Sequence, residues 1–197
     1  VLDEPTAMLD PQGRADIMHI LDELQQHGTT IILVTHHRDE FVNADRIIRL
    51  DNGRIVQSAR GNTASIPEMD ESDTAQEDNP IAKSNIANGA SKPTSAVPII
   101  EIHNLIYQYP NSSKPVLDKL SITINKGETV AITGHNGAGK TTLARLLCAL
   151  EQPQSGNITI NTIPVARQRA NGNMQSLKRA DREKLRATIG YVMQHPE

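Results

Sequence analysis

The sequence predicts an α/β fold built around a phosphate-binding loop, and three observations carry that expectation. Two continuous apolar runs, TIILVT (30–35) and ETVAIT (128–133), read as strands covered on both faces. Between Pro11 and Gly28 the apolar residues Met18, Leu21 and Leu24 recur at helical spacing. The second strand run leads straight into GHNGAGKT (134–141), which fits G-x-x-x-x-G-K-[ST] between a strand and a helix.

Taken in order, the chain begins with the apolar stub Val1-Leu2, too short for a strand by itself, ending at the adjacent acids Asp3 and Glu4. Such a pair suits holding a cation and polarising a water, and it equally suits a helix entry. Asp10 is a good N-cap, Pro11 a good first helical residue and Gly28 a good C-cap. The strand 30–35 is followed by a short helix through Phe41. RIIRLDNGRIVQS then supplies two short strands joined at Asn52-Gly53, a strong hairpin signal. From 61 to 98 the character changes. EMDESDTAQEDNP is acidic, SNIANGASKPTSAVP is small and polar, and neither has hydrophobic periodicity, so a disordered linker is expected. A flexible coil of that length would reach roughly 30–35 Å. Beyond it, IIEIHNLIYQY and VLDKLSITINK alternate as the antiparallel strands of a β-subdomain, Lys126-Gly127 makes a turn, and QSGN (154–157) turns into NITIN. The expected organisation is therefore 1–60, a linker 61–98, and 99–197.

Composition narrows the function. A net charge of -3 without a basic stripe leaves no electrostatic case for nucleic acid. Phe41, Tyr107, Tyr109 and Tyr191 are the full set of aromatic residues, which argues against a base-stacking platform. Cys148 has no partner for a disulfide within the chain and lies in LARLLCAL, where it reads as a buried small hydrophobe. A single cysteine and no signal-peptide pattern favour the cytosol. No apolar run approaches the roughly 20 residues needed to span a bilayer, so a membrane role would go through a partner.

The phosphate loop has a physical logic. Gly137 and Gly139 let the backbone bend so that successive N–H groups converge on phosphate oxygens. The helix starting near Lys140 adds the positive end of its dipole. Lys140 should reach the β- and γ-phosphates, and the Thr141 hydroxyl should take one Mg²⁺ position. Gly134, His135, Asn136, Gly137, Ala138, Gly139, Lys140, Thr141 and Thr142 are thus the candidate ATP-binding segment. Three other residues are ambiguous singly. Tyr109 suits base stacking or packing, His36 after the strand suits a phosphate or a strand cap, and Gln194 suits a site or a surface.

Together these stretches resemble the ATP-binding cassette (ABC) ATPases, the engines of ABC transporters. GHNGAGKTT is similar to the Walker A loop, LDEPTAMLD to Walker B plus D-loop, VTHH to the switch-histidine loop and VMQHPE to the Q-loop. YQYP resembles the adenine-stacking loop and LDNGRIV the hairpin after the switch histidine. The form YVMQHPE is most like the energy-coupling-factor importers, whose ATPases power vitamin or metal-ion uptake. The resemblance implies a P-loop NTPase core with an antiparallel β-subdomain. It also implies ATP and Mg²⁺ as ligands, head-to-tail cassette pairing, integral-membrane transporter subunits as partners and a place on the cytoplasmic face of the cell membrane.

In that family Walker A precedes Walker B, whereas here the order is reversed. The expectation is a tandem ATPase fragment holding the end of one cassette and the start of the next. No LSGGQ-like signature occurs, so the helical signature subdomain is expected to be missing and the fragment alone inactive. The basic stretch 163–185 has no functional account. The resemblance gives Lys140 and Thr141 the phosphates and Mg²⁺, and Gln194 the metal and water shell. It gives Asp3 the Mg²⁺ through water, Glu4 the attacking water, His36 the γ-phosphate, and Asp10 communication across the dimer. In an intact tandem protein Glu4 and Lys140 would serve different sites. A tandem ABC translation factor on the ribosome and a non-catalytic nucleotide binder are the rival readings. Finally, 30–35 exposes an apolar edge that 128–133 can cover. One permuted core is therefore expected, with Glu4 and His36 beside the loop around Lys140.

Overall fold

The computed structural model describes residues 1–60, 97–175 and 177–193. The first stretch holds β1 (Leu2–Asp3), α1 (Pro11–Gln26), β2 (Ile31–Val34), a 3₁₀ turn (Arg38–Glu40), β3 (Arg46–Asp51) and β4 (Arg54–Arg60). The remainder holds β5 (Pro98–Tyr107), β6 (Leu117–Asn125), β7 (Thr129–Thr133), α2 (Lys140–Leu147), β8 (Ser155–Ile160), β9 (Ile163–Gln168), β10 (Met174–Gln175) and α3 (Arg179–Thr188). Nearly all of the expected linker lies outside the described residues. At its end, however, Pro98 already belongs to β5, drawn in by pairing with Asn125.

The elements form two five-stranded sheets, ordered β1-β2-β7-β3-β4 and β10-β9-β8-β5-β6. In the first, β7 runs parallel to β2 from Ile31↔Thr129 to Val34↔Ile132, and parallel to β3 on its other side. The expected pairing of 30–35 with 128–133 is therefore present. Val130, Ala131 and Ile132 are fully buried, which is why the run has no polar alternation. The stub at Val1-Leu2 does become strand, because Leu2 pairs with Leu33 on one side and bridges Val192 on the other. The second sheet is antiparallel, and β6 alternates buried and exposed positions as a one-sided strand must.

One apolar core joins the sheets. Ile32, Ile48 and Leu50 of the first pack with Leu105, Leu120 and Ile158 of the second and with Leu143 and Leu147 of α2. Each such burial contributes about 1.5–3 kcal/mol. Helix α1 starts as expected, with the Asp10 side chain accepting from the Gly13 N–H at 2.8 Å. Its apolar face is thinner than expected. Leu21 alone is buried, against Ile31 and Leu33, whereas Leu24 stays 43% exposed on the rim of a cavity of about 270 Å³. The β3–β4 turn has Asn52 at φ 46° and Gly53 at φ 73°, the left-handed pair a two-residue hairpin requires.

Candidate functional site

The site forms where β1, β2 and β7 end side by side. β7 delivers the chain at Thr133 into a loop that closes on α2 at Lys140. Gly137 and Gly139 adopt φ of 84° and 99°, the bend expected of a phosphate cradle. Gly134 is required by space, since a Cβ there would meet the Leu50 carbonyl oxygen at 2.3 Å. The loop is thereby pressed against the β3–β4 hairpin, and the Gly53 N–H donates to the Ala138 carbonyl at 3.2 Å.

Lys140 is buried and its Nζ donates to the carbonyls of Gly134 at 2.8 Å and His135 at 3.1 Å. Burial lowers its pKa, and the nearby charges of Glu4 and Asp3 oppose the shift. The Thr141 hydroxyl donates to Asp3 Oδ1 at 3.2 Å, and the Tyr191 hydroxyl reaches Oδ2 at 3.5 Å. Asp3 is 1% exposed, and desolvation raises its pKa against the help of the Thr141 hydrogen bond. Glu4 has φ of 47°, left-handed for a residue with a side chain. Its N–H donates to the Val34 carbonyl at 2.9 Å, and its Oε1 lies 3.1 Å from His36 Nδ1.

Asp3, Glu4, His36, Lys140 and Thr141 thus converge. Tyr109 reaches the first turn of α2, its hydroxyl 3.1 Å from Thr142 Oγ1 and its ring edge-on to Tyr107 at 5.0 Å. His135 places Nε2 2.7 Å from Asp51 Oδ1 and Nδ1 2.7 Å from the Asn136 carbonyl. Two acceptors favour the imidazolium, and the Asn136 carbonyl followed by Asp51 raises the pKa. Asp10 is engaged as the α1 cap, and Gln194 lies outside the described residues.

Mg²⁺ takes hard oxygen ligands, and it relies on one or two protein oxygens besides phosphate and water. Asp3 and Thr141 fit that donor set, a desolvated carboxylate oxygen beside a hydroxyl. Among the described residues no group of three or more His, Cys, Asp or Glu could form a closed protein cage instead.

Sequence reasoning missed several polar residues that the fold brings in. Glu40 is buried, accepting from the Thr6 hydroxyl and from the Thr35 hydroxyl at 2.5 Å. Asp51 and Tyr191 touch His135 and Asp3. A visible signal was Thr6, a hydroxyl in the loop between the acid pair and α1. The other contacts depend on pairing across distant strands.

The family model described as ABC transporter matches residues 117–197. Similar curated proteins each carry the name "Putative ABC transporter ATP-binding protein". One from Bifidobacterium longum is 43% identical, covering all of this chain and 28% of its own length. One from Enterococcus faecalis is 29% identical over all of this chain and 38% of its own length. One from Bacillus thuringiensis subsp. konkukian is 30% identical over all of this chain and 39% of its own length. The chain therefore spans between 28% and 39% of the length of these relatives. Residues 117–197 thus match the ABC transporter family model, and the chain is similar along its whole length to proteins named as putative ABC transporter ATP-binding proteins.

Proposed function

We propose that the chain belongs to the ATP-hydrolysing, energy-coupling subunit of an ABC importer of the energy-coupling-factor type, serving vitamin or metal-ion uptake. Residues 1–60 would be the C-terminal part of one cassette and 99–197 the N-terminal part of the next. The observation that carries the ATP-hydrolysing part of this reading is the meeting of Asp3, Glu4 and His36 with Lys140 and Thr141 around one glycine loop, while the importer type rests on the resemblance of YVMQHPE. In the intact protein Glu4 and Lys140 would serve separate sites of this same geometry. This chain alone would bind nucleotide without sustained turnover, because it contains no LSGGQ-like segment.

In the proposed reaction the loop N–H groups and Lys140 hold the phosphates, with Lys140 exchanging its two carbonyl contacts for phosphate oxygens. Tyr109 would stack on the base. Glu4 would polarise the attacking water, and His36 would hold Glu4 in place while facing the γ-phosphate. Asp3, Thr141 and Gln194 would hold Mg²⁺, which supplies charge neutralisation for the transferring phosphoryl group. Catalysis would then be positioning and electrostatics. Among the described residues no helix is long and apolar enough to cross a membrane. The reading assigns that crossing to partner subunits and places this chain on the cytoplasmic membrane face.

The test is phosphate release from the intact protein. Glu4→Gln is expected to keep nucleotide affinity within about twofold and to slow hydrolysis at its site by about 10²–10⁴-fold, the scale of a lost general base. Unchanged turnover in Glu4→Gln would overturn the ATPase reading.

A further inference from the structure

Glu40 is a buried carboxylate that the proposed reaction does not use. It is 2% exposed, at the end of the 3₁₀ turn that follows His36 and His37. Its Oε1 accepts from the Thr6 hydroxyl and its Oε2 from the Thr35 hydroxyl at 2.5 Å. Arg14 of α1 approaches Oε1 at 3.8 Å. Burying a carboxylate is costly, and a well-packed apolar side chain in such a place is commonly neutral or stabilising. Packing alone therefore gives no reason for an acid here.

The two hydroxyls give a reason. Thr35 precedes His36, and its Oγ1 also accepts from the His37 N–H at 3.0 Å. Hydrogen bonds thus hold the backbone on both sides of His36. Thr6 lies two residues beyond Glu4, in a turn where the Ala7 N–H donates to the Glu4 carbonyl at 3.2 Å. Glu4 itself is held in the left-handed region, a conformation that persists only where its surroundings over-determine it. One carboxylate thus spans the two segments that carry Glu4 and His36, whose side chains meet at 3.1 Å.

We propose that Glu40 is a positioning residue, a buried clamp that holds Glu4 and His36 in register by binding Thr6 with one oxygen and Thr35 with the other. The proposal rests on the ATPase reading, and all five residues lie within 1–60, so it concerns one cassette whichever phosphate loop faces it. A misplacement of the water-polarising group by about 1 Å can cost about 10²-fold in rate with binding intact.

The experiment measures kcat, KM for ATP, nucleotide affinity and Tm for the intact protein and four variants. Glu40→Gln loses the charge, and Thr35→Val loses one hydroxyl at nearly constant volume. Thr35→Ser restores that hydroxyl, and Glu4→Gln reports the ATPase reading. Expected are a fall in kcat of at least about tenfold in Glu40→Gln and Thr35→Val, with KM and affinity within about twofold, and recovery of more than half of the lost rate in Thr35→Ser. If Glu40→Gln does not fold, the Thr35 pair decides alone. If kcat stays within about twofold in Thr35→Val, or falls only in step with nucleotide affinity and Tm, the clamp is overturned and Glu40 is packing. If Glu4→Gln also retains turnover, the ATPase reading fails together with it.

Discussion

At the scale of single residues, chemistry follows from how many partners each polar atom finds. His135 has an acceptor at each ring nitrogen, so its pKa rises above the ordinary 6.5. A histidine whose folded pKa is raised contributes stability that is full below its unfolded value and is lost as pH climbs through the folded one. The Tm difference between wild type and Asp51→Asn should therefore narrow as pH is taken from about 6 to about 9. A gap that ignores pH would mean the contact carries no charge. Gly134 makes a different, steric claim. With the Leu50 carbonyl oxygen 2.3 Å from the site of a Cβ, Gly134→Ala should destabilise the protein by about 2–4 kcal/mol in chemical denaturation. Nucleotide protection of the loop should weaken with it.

At the scale of elements, local signals were legible and long-range ones were not. Asp10 and Pro11 open α1 as expected because capping is settled within four residues, and the Asp10 side chain does bind the Gly13 N–H. At the other end the C-cap is His27 rather than Gly28, which follows it at φ 84°. Asp10→Ala should cost about 1 kcal/mol of stability, read from the denaturation midpoint at constant slope. The glycine loop was legible for the same reason: its cradle depends on its own backbone. The fate of Leu24 was not legible. Helical spacing puts it on the face of Leu21, but only the placement of Ile99 and Val192 decides that it rims a cavity. Glu40 was invisible because its identity as an acid says nothing until Thr6 and Thr35 are brought to its two oxygens. Val1-Leu2 has no strand length by itself and becomes strand through neighbours on both sides.

At the scale of the whole molecule, the two stretches share one core, so they should open together. β2 and β3 come from the first stretch and β7 from the second, and Ile32, Ile48 and Ile132 are almost fully buried in one cluster. Ile32→Ala should cost about 2–5 kcal/mol. Hydrogen exchange on residues 1–197 by themselves should then show β2, β3 and β7 losing protection by equal free energies. Protection lost in β2 and β3 but kept in β7 would mean two independent units.

The wiring of that sheet also bears on how the protein assembles. β7 is a wedge with strands of the other stretch on both flanks, and the Gly127 N–H finds the Thr30 hydroxyl 97 positions away. The β1–β2 and β3–β4 pairs cannot join into one sheet until the wedge arrives, so the step that closes the sheet is a distant contact and should be slow. A backbone cut between β4 and β5 would leave two pieces that template each other. Their recovery of structure should then obey second-order kinetics, becoming faster as either piece is made more concentrated.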